Sequence, residues 1–424
     1  MKYAVFIFWM CCLSLFATGQ SNQIRQITLD QLIDSALTAF QLTAQRQIVD
    51  ETYQLKLHNL RTNFLPVAVI NAQASYQSEV TVLKIPLPGV NVPEMAKDWY
   101  KINLDLSQTM YDGGYNKAMR SVEEHDRLLS ANEVKQAEDG LKKQVTDLYF
   151  NVLLIDQQSS VLRLMLETME GVLGEMASRV NAGMLLKSER DAVLSESLRY
   201  RQQLVELESS RRAMIAMLSE LCRFPLNASD NLQLPAVSFS NEYVNERPEL
   251  HHFNLSGNRM EGLKALEKVK KRPVVAAFGQ AGYGRPGYNM LDDSFNDFYM
   301  AGIRLSYKPW DWNNSRRNLR LIGLKQESIE LARENFNSQH QASWLAQMEE
   351  LEKYDTLIQL DEQIVKLQQS VVENILSQLN HGAITGSVYL TELNKQTRAL
   401  IDVEIHQIKQ LRTKVDIMYL TGKY

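Results

Sequence analysis

Seven histidines, three cysteines and sixteen methionines are the residues through which this chain could hold a metal or attack a substrate. The histidines stand at 58, 125, 251, 252, 340, 381 and 406, with no HExxH and no Cys/His cluster at zinc spacing. His251 and His252 are adjacent, so on a helix they point to different faces and read as a surface pair rather than a metal clamp. His381 sits in a turn sequence and reads as a turn residue before a pH sensor. Cys11 and Cys12 lie in an N-terminal apolar run, which leaves Cys222 alone and no intrachain disulfide to form. Met214, Met217 and Met418 fall at apolar helix positions and read as core filling rather than a copper path. GxSxG, P-loop and Rossmann fingerprints are absent. No catalytic residue, cofactor or metal is expected, and the chain does not read as an enzyme.

Chemistry of another kind, contact with two different solvents, is written between Asp98 and Gly114. Tyr100, Ile102, Leu104 and Leu106 point one way, and Lys101, Asn103, Asp105 and Ser107 point the other. That period of two marks a strand with one apolar and one polar face. The pattern returns 199 residues later, from Asp297 to Asp311, with Tyr299, Ala301, Ile303 and Leu305 on the apolar side and Arg304 on the polar side.

Long helices must position these strands. Lys2, the apolar run from Ala4 to Phe16 and the small residues Ala17 and Gly19 read as an export signal over residues 1–19, with Gln20 the expected start of the mature chain. Phe8, Trp9 and Met10 are too bulky for a lipoprotein cleavage site before Cys12. Thr28 and Gln31 form a capping box ahead of the stripe Leu29, Leu32, Ile33, Ala36 and Leu37, and this helix is expected to run to about Asn63. Strands from Pro66 to Gln77 and from Asp98 to Tyr111 make a hairpin over 66–111. A helix of about 67 residues, roughly 100 Å long, then runs to the turn Asn181-Ala182-Gly183. Ser188, with Asp191 at its N3 position, is expected to cap a helix reaching about Cys222.

The second half repeats this plan. A helix from about Glu246 ends at Pro273, a hairpin covers 273–311, and a long helix runs from about Asn313 to the turn Asn380-His381-Gly382. A last helix runs from about Ser387 to Thr421. Asn181 and Asn380, Gly183 and Gly382, and Ser188 and Ser387 all share the 199-residue offset, the signature of an internal duplication. The expected organisation is a first repeat over 20–222, a linker over 223–245 and a second repeat over 246–424. Trp344, Leu351, Ile358, Val365, Val372 and Leu379 recur every seven residues, flanked by Leu357, Ile364 and Val371. Val145, Val152, Leu166, Leu173 and Val180 do the same in the first half, broken at Ser159. A sustained heptad predicts left-handed coiled-coil walls.

The chain has 424 residues and a net charge of −4, so there is no basic footprint for nucleic acid. Beyond the export signal no run of 18 apolar residues exists, so a membrane would have to be crossed by strands. Two hairpins give four strands, and the smallest transmembrane barrels need about eight. Two, three or four copies would therefore be required, giving eight, twelve or sixteen strands with Tyr100, Ile102, Leu104, Leu106, Tyr299, Ile303 and Leu305 toward lipid and Lys101, Asn103, Asp105, Ser107 and Arg304 toward a wet lumen. Trp99, Tyr100, Tyr111, Phe298, Tyr299, Trp310 and Trp312 stand at strand ends, where interfacial aromatic belts form.

The order of export signal, Leu65-Pro66, Tyr111-Asp112-Gly113-Gly114, two hairpin and coiled-coil repeats and two Asn-x-Gly turns resembles the TolC-like outer-membrane efflux proteins. That resemblance implies a mainly α chain with membrane β, in a homotrimer whose 12-stranded outer-membrane barrel continues into a long periplasmic α-helical barrel. It also implies a Gram-negative outer membrane, with a periplasmic adaptor, or membrane fusion protein, docking at the helix tips and an inner-membrane transporter supplying the energy. Asn181, Gly183, Ser188, Asn380, Gly382 and Ser387 occupy those tips by the same resemblance. Some members carry lumen-facing aspartates after the second tip turn; residues 383–391 here contain none. Glu189 and Asp191 follow the first tip turn and Glu392 is the first acid after the second, which makes them the candidates for an acidic gate. A duct for protein secretion (type I) shares every one of these features, and a periplasmic coiled-coil scaffold without a pore is the alternative of a different class.

Overall fold

The computed structural model describes residues 25–80, 95–290 and 292–424. The export signal, Cys11, Cys12 and most of the first hairpin's loop lie outside the described residues. In chain order the elements are β1 (Gln26–Ile27), α1 (Leu29–Ala39), α2 (Leu42–Thr62), β2 (Val67–Tyr76), β3 (Asp98–Tyr111), α3 (Tyr115–Asn181), α4 (Lys187–Cys222), β4 (Asn231–Leu232), α5 (Pro248–Val269), β5 (Val274–Arg285), β6 (Asn296–Ser306), α6 (Asn314–Asn380) and α7 (Gly386–Thr421). Among the described residues no helix is long and apolar enough to cross a membrane.

The capping box forms: the Gln31 N–H donates to Thr28 Oγ1 (3.3 Å) and the Thr28 N–H to Gln31 Oε1 (3.2 Å). The helix it opens does not continue to Asn63. Gln41 takes a left-handed conformation (φ 51°), and α2 restarts beyond it with Leu42 its one buried residue. The stripe of α1 sits in the core, α2 has no such stripe, and neither Gly nor Pro marks the break.

β2, β3, β5 and β6 form one antiparallel sheet in that order. Its two hairpins meet where β3 pairs with β5, placing Ile102 opposite Tyr283 and Asp105 opposite Gln280. β6 ends at Ser306, short of the expected Asp311. Pro309 has no N–H to give a ladder, and among the described residues β6 has no second neighbour to hold it extended.

α3 and α6 are each 67 residues long and start 199 residues apart; α4 and α7 are each 36 residues long with the same offset. One buried cluster gathers Leu32, Val145, Tyr149, Phe150, Leu218 and Val415. A second, nearer the far ends of α3 and α6, gathers Met169, Met176, Leu379, Tyr389 and Leu393. Ser159, where the heptad breaks, falls between Leu153 of the first cluster and Val161 of the second, buried with its Oγ unpartnered. Residues 223–245 are held against this core. β4 pairs in parallel with β1, Arg25 Nη2 lies 2.8 Å from Asp230, and the Tyr149 hydroxyl reaches the carbonyls of Ile27 (2.9 Å) and Gln233 (2.6 Å). Cys222 is buried in the same cluster, and burial pushes its thiol up to about 11. Met217, expected in the core, is exposed, whereas Met214 packs at the core's edge.

Candidate functional site

The sheet has two chemically different faces. Tyr100, Ile102, Leu104 and Leu106 share one face with Tyr299, Ile303 and Leu305, and all seven are exposed, Tyr299 at 84%. Exposed apolar rows of this extent need a partner or a non-aqueous medium. Lys101, Asn103, Asp105, Ser107 and Arg304 share the other face. There the Asp105 carboxylate accepts from Asn71 Nδ2 (2.6 Å), Asn103 Nδ2 (2.8 Å) and Gln280 Nε2 (2.6 Å).

Aromatic rings interrupt that polar face. Phe298, assigned from sequence to an interfacial belt, is instead buried there, because Gly282 opposite it has no Cβ: one added would run into the ring. Phe278 covers Gly302 in the same way. The Lys101 ammonium lies 4.5 Å from the Phe298 ring centre, and the Arg304 guanidinium 5.0 Å from that of Phe278. Sequence alternation missed these pairs; two glycines inside strands, Gly282 and Gly302, were the available signal.

Asp112 and Asp311 mark where strand becomes long helix. Asp112 accepts from the N–H groups of Gly114 (2.8 Å) and Asn116 (2.7 Å), and Asp311 from that of Ser315 (2.9 Å). Gly113 and Gly114 are left-handed between them, and so are Trp312 and Asn313 at the matching positions. The missing glycine pair therefore changes the residues and not the backbone path.

Two sets of edges are left open. Among the described residues β2 and β6 each pair on one side only. α3 buries 22 residues against seven for α6, so the second long helix keeps a face free. On α6, Leu324, Leu331 and Leu345 lie on one seven-residue register and Leu360 and Leu367 on another, all exposed, with Ile364 and Val371 beside the second pair; Ile48 and Leu55 on α2 and Leu198 and Val205 on α4 are exposed and likewise seven residues apart. These are coiled-coil seams without a second helix.

At the far end, Asn181 and Asn380 are the last residues of α3 and α6, and Gly183 (φ 71°) and Gly382 (φ 73°) turn the chain. Both turns close alike: the Gly183 N–H donates to Val180 O (3.0 Å) and Met184 N–H to Arg179 O (2.9 Å), while Gly382 N–H donates to Leu379 O (3.0 Å) and Ala383 N–H to Gln378 O (2.9 Å). Ser188 is not the cap expected, and its counterpart Ser387 is placed alike. The helices begin one residue before each serine, after Leu186 and Thr385, and neither cap residue makes a side-chain bond. The turns are tied across by Arg179 Nη1 to Leu379 O (2.9 Å) and by the Gly386 N–H to Glu189 Oε2 (2.5 Å). Asp191 lies 2.7 Å from Arg190, and Glu392 accepts from Lys395 (2.8 Å) and Gln368 (2.9 Å), which hold its carboxyl below the usual range. Tyr389, fully buried behind the second turn, is pushed up to about 12 by that burial.

Residues 51–221 match a family model described as outer membrane efflux protein. No curated protein sequence matches the chain. Among solved structures, the outer membrane protein VceC of Vibrio cholerae is similar over 93% of this chain and 96% of its own, with TM-score 0.71 and 12% identity. The CmeC outer membrane channel of Campylobacter jejuni is similar over 93% and 86%, with TM-score 0.68 and 14% identity. The MtrE outer membrane channel of Neisseria gonorrhoeae, in its open state, is similar over 93% and 88%, with TM-score 0.67 and 16% identity. The chain thus has the fold of outer-membrane channels, and the resemblance to outer-membrane efflux proteins read from its motifs is borne out.

Proposed function

We propose that this chain, an efflux-channel fold with a family match over its first half, is the outer-membrane duct of an envelope-spanning efflux system. The observation that carries this reading is the four-stranded sheet whose outer face is apolar and whose two edges are unpaired. In hydrocarbon each orphan N–H or C=O costs several kcal/mol, so β2 and β6 must find strands on other chains. Three copies close a twelve-stranded barrel. Ten residues of β2 at about 3.3 Å each, tilted by about 40°, stand roughly 25 Å tall, the height of an outer-membrane apolar band.

The long helices continue the barrel into the periplasm, with Leu324, Leu331, Leu345, Leu360 and Leu367 of one copy closing against α2 and α4 of the next. The two halves, 20–222 and 246–424, joined by 223–245, descend from one duplicated unit, and residues 1–19 direct export. The turns at Asn181, Gly183 and Ser188 and at Asn380, Gly382 and Ser387 form the periplasmic tip, which docks on an adaptor bound to an inner-membrane transporter. Glu189, Asp191 and Glu392 are the acids available to a constriction at that tip. The chain supplies a passage, and the transporter supplies the energy. Cell fractionation followed by a heat-modifiability gel tests this: the protein should sediment with outer membranes and migrate as a trimer until heated. A periplasmic monomer with little β signal would overturn it.

A further inference from the structure

The polar face of the sheet carries an unbalanced charge. Within its four strands the register places Lys101, Asp105 and Arg304 on that face, and Asp98, Arg285 and Asp297 on the other. Of the second set, Arg285 lies 2.5 Å from Asp98 at the loop end and is neutralised there. Inside, the charges are treated unequally. The Asp105 carboxylate accepts from three amides, whose positive ends offset its field. Among the described residues neither Lys101 nor Arg304 forms a salt bridge; each rests on a ring and keeps its full charge.

The loop after β5 completes this arrangement. Tyr288 folds back onto the polar face, donating from its hydroxyl to Gln280 Oε1 (2.5 Å), with its ring 4.9 Å from Phe298 and 5.4 Å from the Lys101 ammonium. A cation flanked by Tyr288 and Phe298 therefore stands near the loop end of the sheet, and a second, beside Phe278, nearer the helices. In a barrel of three copies each becomes a ring of three. Fields from such rings extend over a Debye length of about 8 Å at physiological salt and raise the local concentration of counter-ions.

We infer that the β-barrel portion of the duct selects anions, and among exported solutes favours organic anions with a ring or alkyl body, the cations taking the acid group and the exposed Tyr288 and half-buried Phe278 rings the apolar part. This inference rests on the reading that the polar face lines the lumen. Lys101 and Arg304 set the preference and Asp105 opposes it.

The test is the reversal potential of the purified full-length assembly in a planar bilayer under a potassium chloride gradient. Lys101→Gln/Arg304→Gln, checked for unchanged oligomeric mass, should move that potential toward potassium, and Asp105→Asn should move it toward chloride. Added 2-naphthalenesulfonate should reduce the wild-type current more than sulfate at equal charge, and the double variant should lose that difference. An assembly whose potential the double variant leaves unmoved would overturn the anion preference while the duct stands. Equal effects of the two probes would overturn the organic class. Absence of any conductance would overturn the inference and the duct together.

Discussion

Gly183 and Gly382 hold a backbone that L-residues enter only at about 1–2 kcal/mol each. Nothing lies within 4 Å of where a Gly183 side chain would begin, so a substitution there strains the turn without striking the core. Gly183→Val/Gly382→Val should therefore leave trimers in the outer membrane and abolish adaptor-dependent export, read by a drug-susceptibility assay beside a heat-modifiability gel. Unchanged export would remove these glycines from the docking tip. Asp230 sets a different residue-level expectation. Burial works against its charge, yet the Arg25 guanidinium and the Asn227 N–H overcome this and hold its carboxyl below the usual range. A depressed folded pKa stabilises the fold above the unfolded value of about 3.9, and that contribution fades as pH falls through the folded value. Asp230→Asn should cost about 1–3 kcal/mol at pH 7 and progressively less in acid, a difference that thermal melts at the two pH values would show.

Between elements, the exposed seams are what the proposed assembly must cover. Leu360 and Leu367 are exposed on α6, whose partly buried Leu357 and Ile358 and buried Val372 already hold it to its own chain. Leu360→Asp/Leu367→Asp should lower the trimer fraction by native mass spectrometry while far-ultraviolet circular dichroism keeps its helical signal; an intact trimer would place the seam elsewhere. The same elements show what a sequence can reveal. Strands, long helices and glycine turns were legible because each rests on a local signal: period two, an absence of breakers, a left-handed requirement. The division of the sheet into faces followed from the same period. What was not legible depends on distant partners. Gln41 breaks a helix as α1 is drawn into the core, Phe298 leaves the expected belt because Gly282 lies across from it, and Ser188 misses its capping role because α4 already starts at Lys187. Trp312 and Asn313, which hide the equivalence to Gly113 and Gly114, adopt the glycine conformation under the geometry of the strand-to-helix junction.

At the scale of the whole molecule the features converge on one requirement. A sheet with open edges, helices roughly 100 Å long with unpaired seams and an apolar outer face cannot be satisfied by a single chain. In the assembly proposed above, three chains would satisfy all of them at once and enclose the polar face. The most direct measurement is the conductance of the purified protein in planar lipid bilayers, taken on a preparation whose oligomeric mass is measured in parallel. The account predicts stable, discrete conductance steps from a species with the mass of three chains. A monomer that remains in solution and leaves the bilayer current unchanged would contradict it.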